Sequence, residues 1–294
     1  MARRKKGNPV HGWLVLDKPY DLGSTEAVSK AKWLLEAQKA GHAGTLDPLA
    51  TGVLPIAFGE ATKTVAHVQD GLKRYRFTAR WGIATDTDDL EGKVIAESDR
   101  RPSREEIENI LPRFTGEIRQ RPPAFSAVKI MGERAYDLAR DGEDVVVPER
   151  DVLIESLELL DTPSADEAVF EAVTGKGTYI RALVRDIGED LSTVAHVSAL
   201  RRTAVGPFSE AMAVRFEDMT GKPDVERLSP EDRREGMDKF LVGIEHGMAG
   251  FPQVSLDRTA ASKLQHGNDV ILPVQQMTPI RQGSSEDIEP ILAM

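Results

Sequence analysis

The sequence predicts an α+β protein: a mixed sheet flanked by helices. Three observations predict it. Many separate strand-like runs are joined by hairpins and helices, without the regular strand–helix alternation of a doubly wound βαβ fold. One segment, "TYIRALVRDIGEDL", has a sustained helical period. The length of 294 residues, 40% of them hydrophobic and 29% charged, suits one large domain plus a small one.

The elements follow in chain order. "GWLVLDKP" (Gly12 to Pro19) reads as a short strand ending at a proline turn. "STEAVSKAKWLLEAQKA" reads as a helix, with Ser24 or Thr25 as cap and Val28, Ala31, Leu34 and Leu35 as its apolar stripe. After a Gly/Pro-punctuated loop, "VLPIAFG" fits a buried strand and "EATKTVAHV" a helix. "RYRFTARWG" alternates and is rich in aromatics, as a strand should be. "SREEIENILPRF" opens as a capped helix and should break at Pro112. "AFSAVKI" reads as a strand and "ERAYDLARDG" as a short helix ending at Gly142.

"DVLIESLELLD" and "EAVFEAVTG" are two more strands. Ile180, Leu183, Val184, Ile187 and Leu191 then line one face of the best helix, and "AHVSALRRTAVG" returns to strand. From about Glu226 the chain turns acidic and partly helical. "FPQVSLDRTAASKLQHGNDVILP" reads as a small strand–helix–strand unit. The last stretch has few core-forming residues.

Composition narrows the chemistry. The chain has no Cys, which excludes disulfides, thiolate nucleophiles and Cys-ligated zinc and fits a reducing cytoplasm. The basic run "MARRKKGNPVHG" is followed by no apolar core, so no secretory signal is expected. No apolar run approaches the ~18 residues that span a membrane. The net charge of −10 is uneven. Residues 207–294 are strongly acidic, whereas the basic clusters Arg3–Lys6, Lys73–Arg80, Ile118–Pro123 and Arg201–Arg202 all lie earlier. A phosphate backbone responds to such local patches, and each cluster also fits a merely solvated surface.

Three ligand motifs fail on their spacing. "GKGT" (Gly175–Thr178) lacks the upstream glycine of a P-loop, because Phe170 stands there. "TDTDDLEG" places Leu90 and Glu91 where a calcium loop needs an oxygen ligand and a glycine. The six His residues show no HExxH spacing. Neither a cofactor nor a metal is expected.

One carboxylate then stands out: Asp47 in "GHAGTLDPLATGVLP", where the other ionisable residue is His42. Asp47 before Pro48 fits a simple turn. It also fits a catalytic role, provided a cation holds it ionised and an aromatic holds a ring beside it. Arg181 and Tyr179 at the head of the best helix, and Tyr75 on the aromatic strand, are the candidates. Tyr75 and Tyr179 also fit a core, and Arg181 also fits a pair with Glu189 or a neighbouring surface carboxylate.

The blocks "LDKPYDLGST", "GHAGTLDPLATGVLPIAFGEATK", "RYRFTARWGIATDTDDLEG", "RPPAFSAVKIMGERAYDLAR", "GKGTYIRALVRDIGEDL" and "AHVSALRRTAVGPF" occur in this order. Together they resemble the bacterial tRNA pseudouridine-55 synthases, the TruB family, from about Val10 to Phe208. The resemblance implies a large, mainly antiparallel mixed sheet, the pseudouridine synthase fold. It divides the chain into a basic tail (1–9), a catalytic domain (10–245) with a thumb insertion at about 121–152, and a small PUA-like RNA-binding unit (246–294).

It further implies isomerisation of the T-loop uridine of tRNA, without cofactor, by a cytoplasmic monomer that needs no protein partner. Asp47 would be the catalytic aspartate and Arg181 its partner. Tyr75 would stack on the target ring, Tyr179 and Leu200 would line the pocket, and His42 would contact the T-loop. Asp21 stands where the family usually has Gly, and Phe125 where it often has Tyr.

Overall fold

The computed structural model describes residues 7–126, 128–130, 133–134, 147–222, 229, 232, 236–271 and 292–293. Its centre is a nine-stranded sheet: β1 (Gly12–Lys18), β2 (Ala40–His42), β3 (Thr51–Phe58), β4 (Lys73–Trp81), β5 (Gly116–Gln120), β6 (Arg150–Ser164), β7 (Glu167–Thr174), β8 (Ala195–Val205) and β9 (Phe208–Ser209). The order across the sheet is β1-β3-β8-β4-β7-β6-β5, with β2 on β3 and β9 on β8.

Every strand pairing within this sheet is antiparallel except one. β3 and β8 run parallel, with Thr51 opposite Arg201 and Gly52 opposite Arg202. This short contact brings the loop before β3 beside the middle of β8. Gly52 makes the approach possible: its φ is 98°, and a Cβ there would lie 2.2 Å from the Arg202 carbonyl oxygen.

Alternation along the strands divides the core. Leu14 and Leu16 of β1, Leu54, Ile56 and Phe58 of β3, Phe77, Ala79 and Trp81 of β4, and Phe170 of β7 join one large cluster. Trp13, Val15, Val53, Ala57, Val205 and Phe208 form a second, smaller one. Trp13 packs on Phe208 with ring centroids 5.1 Å apart. Val242 pairs with Trp13, and Gly247 lies so close that a Cβ would meet the indole at 2.7 Å.

Among the described residues the helices are α1 (Ser24–Leu34), α2 (Val65–Asp70), α3 (Arg104–Ile110), α4 (Ile180–Asp190), α5 (Phe216–Thr220) and α6 (Arg258–Gln265). The α4 period holds: Ile180, Leu183, Val184 and Ile187 are buried. Ser103 and Glu106 form the capping box of α3, and a 3₁₀ turn takes over at Leu111–Phe114, which contains Pro112.

Some expectations are corrected. Gly23, not Ser24 or Thr25, caps α1, because the Ser24 hydroxyl is engaged elsewhere. "EATKTVAHV" splits into a 3₁₀ turn (Gly59–Lys63) and α2. Among the described residues of "AFSAVKI", only Lys129–Ile130 is strand. It pairs with Glu133–Arg134, so the expected helix does not begin at Glu133. The rest of "ERAYDLARDG" lies outside the described residues.

Gln253–Val254 and α6 fit the expected C-terminal unit, but the strand that pairs with Gln253–Val254 is Leu292–Ala293, not "VILP". Val270 and Ile271 are irregular, and the rest of "VILP" lies outside the described residues. Residues 127, 131–132 and 135–146 of the expected thumb also lie outside them.

Candidate active site

The loop 43–50 carries Asp47 and is fixed from four directions. Lys18, fully buried at the end of β1, donates to the carbonyls of Pro19 (2.9 Å), Leu22 (2.7 Å) and Pro48 (3.0 Å). Ser24, at the start of α1, donates to the Leu46 carbonyl (2.7 Å) and accepts from its N–H (2.8 Å). Arg202, buried in β8, donates to the carbonyls of Val53 (2.9 Å), Thr45 (3.2 Å) and Gly44 (3.0 Å). The Asp21 N–H donates to the Pro48 carbonyl (3.0 Å). Asp21 has φ 58°, the left-handed conformation in which glycine sits without strain, so the departure from the family pattern keeps a glycine-like turn.

Arg181 meets this loop from α4. Its Nε lies 2.9 Å from Asp47 Oδ2, a close ion pair whose N–H is out of line for a hydrogen bond. Its other nitrogens donate to the carbonyls of Thr87 (2.8 Å) and Phe125 (3.0 Å), and Asp89 Oδ2 lies 3.4 Å away. Arg181 is 5% exposed and Asp89 2%, whereas Asp47 is 34% exposed. The guanidinium is therefore sunk between two carboxylates, and one of them faces solvent. A buried cation so placed restrains the direction of its open partner. Glu189 is not its partner.

Asp47 opens into a cavity of about 500 Å³. Tyr75, Phe125, Tyr179, Arg181 and Leu200 line it too. Tyr75 is placed by β4, opposite Ala172 on one side and Arg202 on the other. Tyr179 precedes α4, and the Gln120 side chain bonds both its N–H (2.8 Å) and its carbonyl (3.1 Å). Five of the six expected site residues thus surround one space. His42 does not join them: it sits half-buried on β2, outside the lining, and burial followed by the Arg202 charge pushes its pKa below the usual value.

The cavity wall also carries Lys73, Arg150, Lys176 and Arg202, so five cationic side chains face one carboxylate among the described residues. The negative total of the chain is reversed locally. The basic clusters read from sequence divide. Arg74, Arg76 and Arg80 pair with Glu171, Asp166 and Glu167, and Arg201 pairs with Asp17 and Glu210, whereas Lys73 and Arg202 turn toward the cavity.

Sequence reading misses Lys18, Ser24, Asp89, Gln120 and Arg202 as parts of the site. Burial pushes the Lys18 ammonium down to about 8 against the attraction of Asp47. The "LDKP" turn and the repeated acids of "TDTDDLEG" are visible in sequence, but their partners lie far along the chain.

Solved structures share this architecture. The chain matches one in the structure titled Cbf5-Nop10-Gar1 Complex with a TM-score of 0.66 at 28% identity, over 92% of this chain and 74% of that one. It matches an H/ACA RNP bound to a substrate RNA containing 2′-deoxyuridine with a TM-score of 0.65 at 26% identity, over 92% and 74%. The fold is that of the pseudouridine synthases, a class of RNA-modifying isomerases.

The family is narrower. Residues 32–180 match the model described as TruB family pseudouridylate synthase (N terminal domain). Residues 181–248 match the tRNA pseudouridylate synthase B C-terminal domain. A protein of Agrobacterium fabrum named tRNA pseudouridine synthase B is 55% identical over 92% of this chain and 85% of its own length. One of the same name from Rhizobium johnstonii is 52% identical over 92% and 86%. The chain belongs to the TruB family.

Proposed function

We propose that this chain isomerises uridine 55 in the T-loop of tRNA to pseudouridine, acting as a cytoplasmic monomer without a protein partner. The observation that carries the reading is the Asp47–Arg181 pair, 2.9 Å apart at the wall of a cationic cavity. The names of the bacterial relatives support tRNA as the substrate.

In the reaction the N1–C1′ bond breaks, the uracil turns, and a C5–C1′ bond forms; C5 loses a proton and N1 gains one. Atoms and charge balance within the nucleotide, so no outside group is consumed. Asp47 is the catalytic residue of this proposal. It serves by attacking C1′, by attacking C6, or by taking the 2′ proton, and each route needs an ionised carboxylate beside the glycosidic bond.

Arg181 holds that carboxylate in place. Its N–H being out of line leaves the oxygen lone pairs uncommitted. Leaving the RNA stack costs the base a few kcal/mol, and stacking on Tyr75 offsets part of this. Leu200 and Tyr179 wall the cavity against water, which would hydrolyse a cleaved sugar. In this reading His42, which lies outside the cavity lining, contacts the surrounding T-loop rather than the reacting base.

Tritium release from tRNA labelled at uracil C5 tests this. The parent protein should release tritium and Asp47→Ala should not, while tRNA affinity stays within about tenfold because phosphate contacts dominate it. Release by Asp47→Ala overturns the catalytic assignment.

A further inference from the structure

We propose that Arg150 holds a backbone phosphate of the substrate RNA at the rim of the Asp47 cavity. The proposal rests on the reading of this cavity as an RNA site and adds a contact to it. Of the five cations in the wall, four are committed. Arg181 lies between Asp47 and Asp89, and Lys176 pairs with Asp70 at 2.7 Å. Lys73 caps the carbonyls of Gln69 and Gly71, and Arg202 those of Gly44, Thr45 and Val53.

Arg150 is different. Among the described residues no carboxylate pairs with it, although Arg74, Arg76, Arg80 and Arg201 on the same sheet each have one. Its neighbour Glu149 is paired with Arg119 instead. The Arg150 guanidinium lies over the Tyr179 ring, 5.0 Å from the centroid. One terminal nitrogen donates to the Gly177 carbonyl, and the buried Nε has no partner.

This arrangement selects an anion. A guanidinium seated on a ring has its plane fixed, and its donors are held as a fork that matches phosphate geometry. It carries donors alone, so an uncharged base is a poorer partner than a phosphate oxygen. Tyr179 and Tyr75 line the same cavity, so a nucleotide whose base enters it leaves its phosphate at the rim. The loop 175–178, which is no P-loop, then has a use as the seat of Arg150. Gly177 has φ 89°, and a Cβ there would already touch the guanidinium carbon at 3.5 Å.

The test is binding of a tRNA T-stem-loop against KCl concentration, read by fluorescence anisotropy. The proteins are the parent, Arg150→Ala, Arg150→Gln and the surface control Arg104→Ala. A parallel RNA set replaces one phosphate at a time around the target uridine by a neutral methylphosphonate. Arg150→Ala should flatten the slope of log Kd against log salt by about one unit and raise KM about tenfold, with kcat within about twofold. Arg104→Ala should leave the slope unchanged. One methylphosphonate should weaken the parent and not the variant.

Arg150→Gln keeps a donor for Gly177 without the charge, so it carries the same expectation even where Arg150→Ala is poorly folded. An unchanged slope in Arg150→Gln, or methylphosphonate penalties equal in parent and variant, overturns the proposal. Conversion of uridine by the parent in the same RNA is scored separately. Its absence strikes the isomerase reading, while the binding data alone decide the Arg150 contact.

Discussion

Replacing Lys18 by Met removes a charge from a fully buried site and leaves a side chain of similar length. Two effects oppose each other. Burial holds the Lys18 pKa down from 10.5 to about 8, so the charged form is disfavoured in the fold. At 1.36 kcal/mol per pKa unit this corresponds to at most about 3 kcal/mol. Met removes that penalty. Against it, the carbonyls of Pro19, Leu22 and Pro48 lose their shared donor. Each unsatisfied buried acceptor costs about 1–3 kcal/mol, so the loss exceeds the gain.

Lys18→Met should therefore be less stable by about 2–4 kcal/mol at pH 7. A depressed lysine pKa contributes stability that is present above the unfolded pKa of 10.5 and lost as pH falls through about 8. The parent should accordingly gain stability between pH 8 and 10.5, and the variant should lack the Lys18 share. Lys73, also held near 8 by burial, adds the same rise to both proteins, so the readout is their difference. Urea unfolding at pH 7 and pH 9.5, followed by tryptophan fluorescence, measures it. A variant as stable as the parent at pH 7, or a deficit that shrinks as pH rises, refutes the reasoning.

Other outcomes follow from the same geometry. Asp88 is pushed up to about 6, chiefly by burial and against the charge of Arg185, so it opposes stability as pH rises from about 4 to 6. Asp88→Asn should abolish that part of the decline in urea titrations across this range, and an identical pH dependence in parent and variant contradicts it. Ser24→Ala removes both bonds to Leu46 and should cost about 2 kcal/mol of stability and slow tritium release; an unaltered turnover rate would separate this tie from catalysis. Arg201→Ala should leave the salt slope of RNA binding unchanged, since Asp17 and Glu210 already occupy its donors; a flatter slope would restore Arg201 to the RNA surface.

The strands and α4 are legible in the sequence because alternation and the helical period are local. Asp47, Arg181, Tyr75 and Tyr179 are legible as chemistry, and the ordered blocks give them roles. Their supports are not. The Lys18 of "LDKP" acts on Pro48, 30 residues on, and Ser24 on Leu46, 22 residues on. Nothing in "LDKP" reveals a buried ammonium, and nothing in "GST" says that a hydroxyl will leave its helix end to hold another loop. Arg201 and Arg202 are adjacent and alike in sequence. The register of β8 sends one to surface carboxylates and the other into the core.

The parallel contact between β3 and β8 sets a time for the active site as well as a place. The carbonyls of Gly44, Thr45 and Val53 wait for Arg202, 149 to 158 residues later in the chain. At about 5–20 residues per second, a ribosome takes roughly ten to thirty seconds to cover that distance. Throughout that interval the nascent chain holds Asp47 without the strand that anchors its loop. Such a long-range contact closes late in folding. Competence to act on RNA therefore arrives with the end of the sheet, and a truncated product is inert by construction.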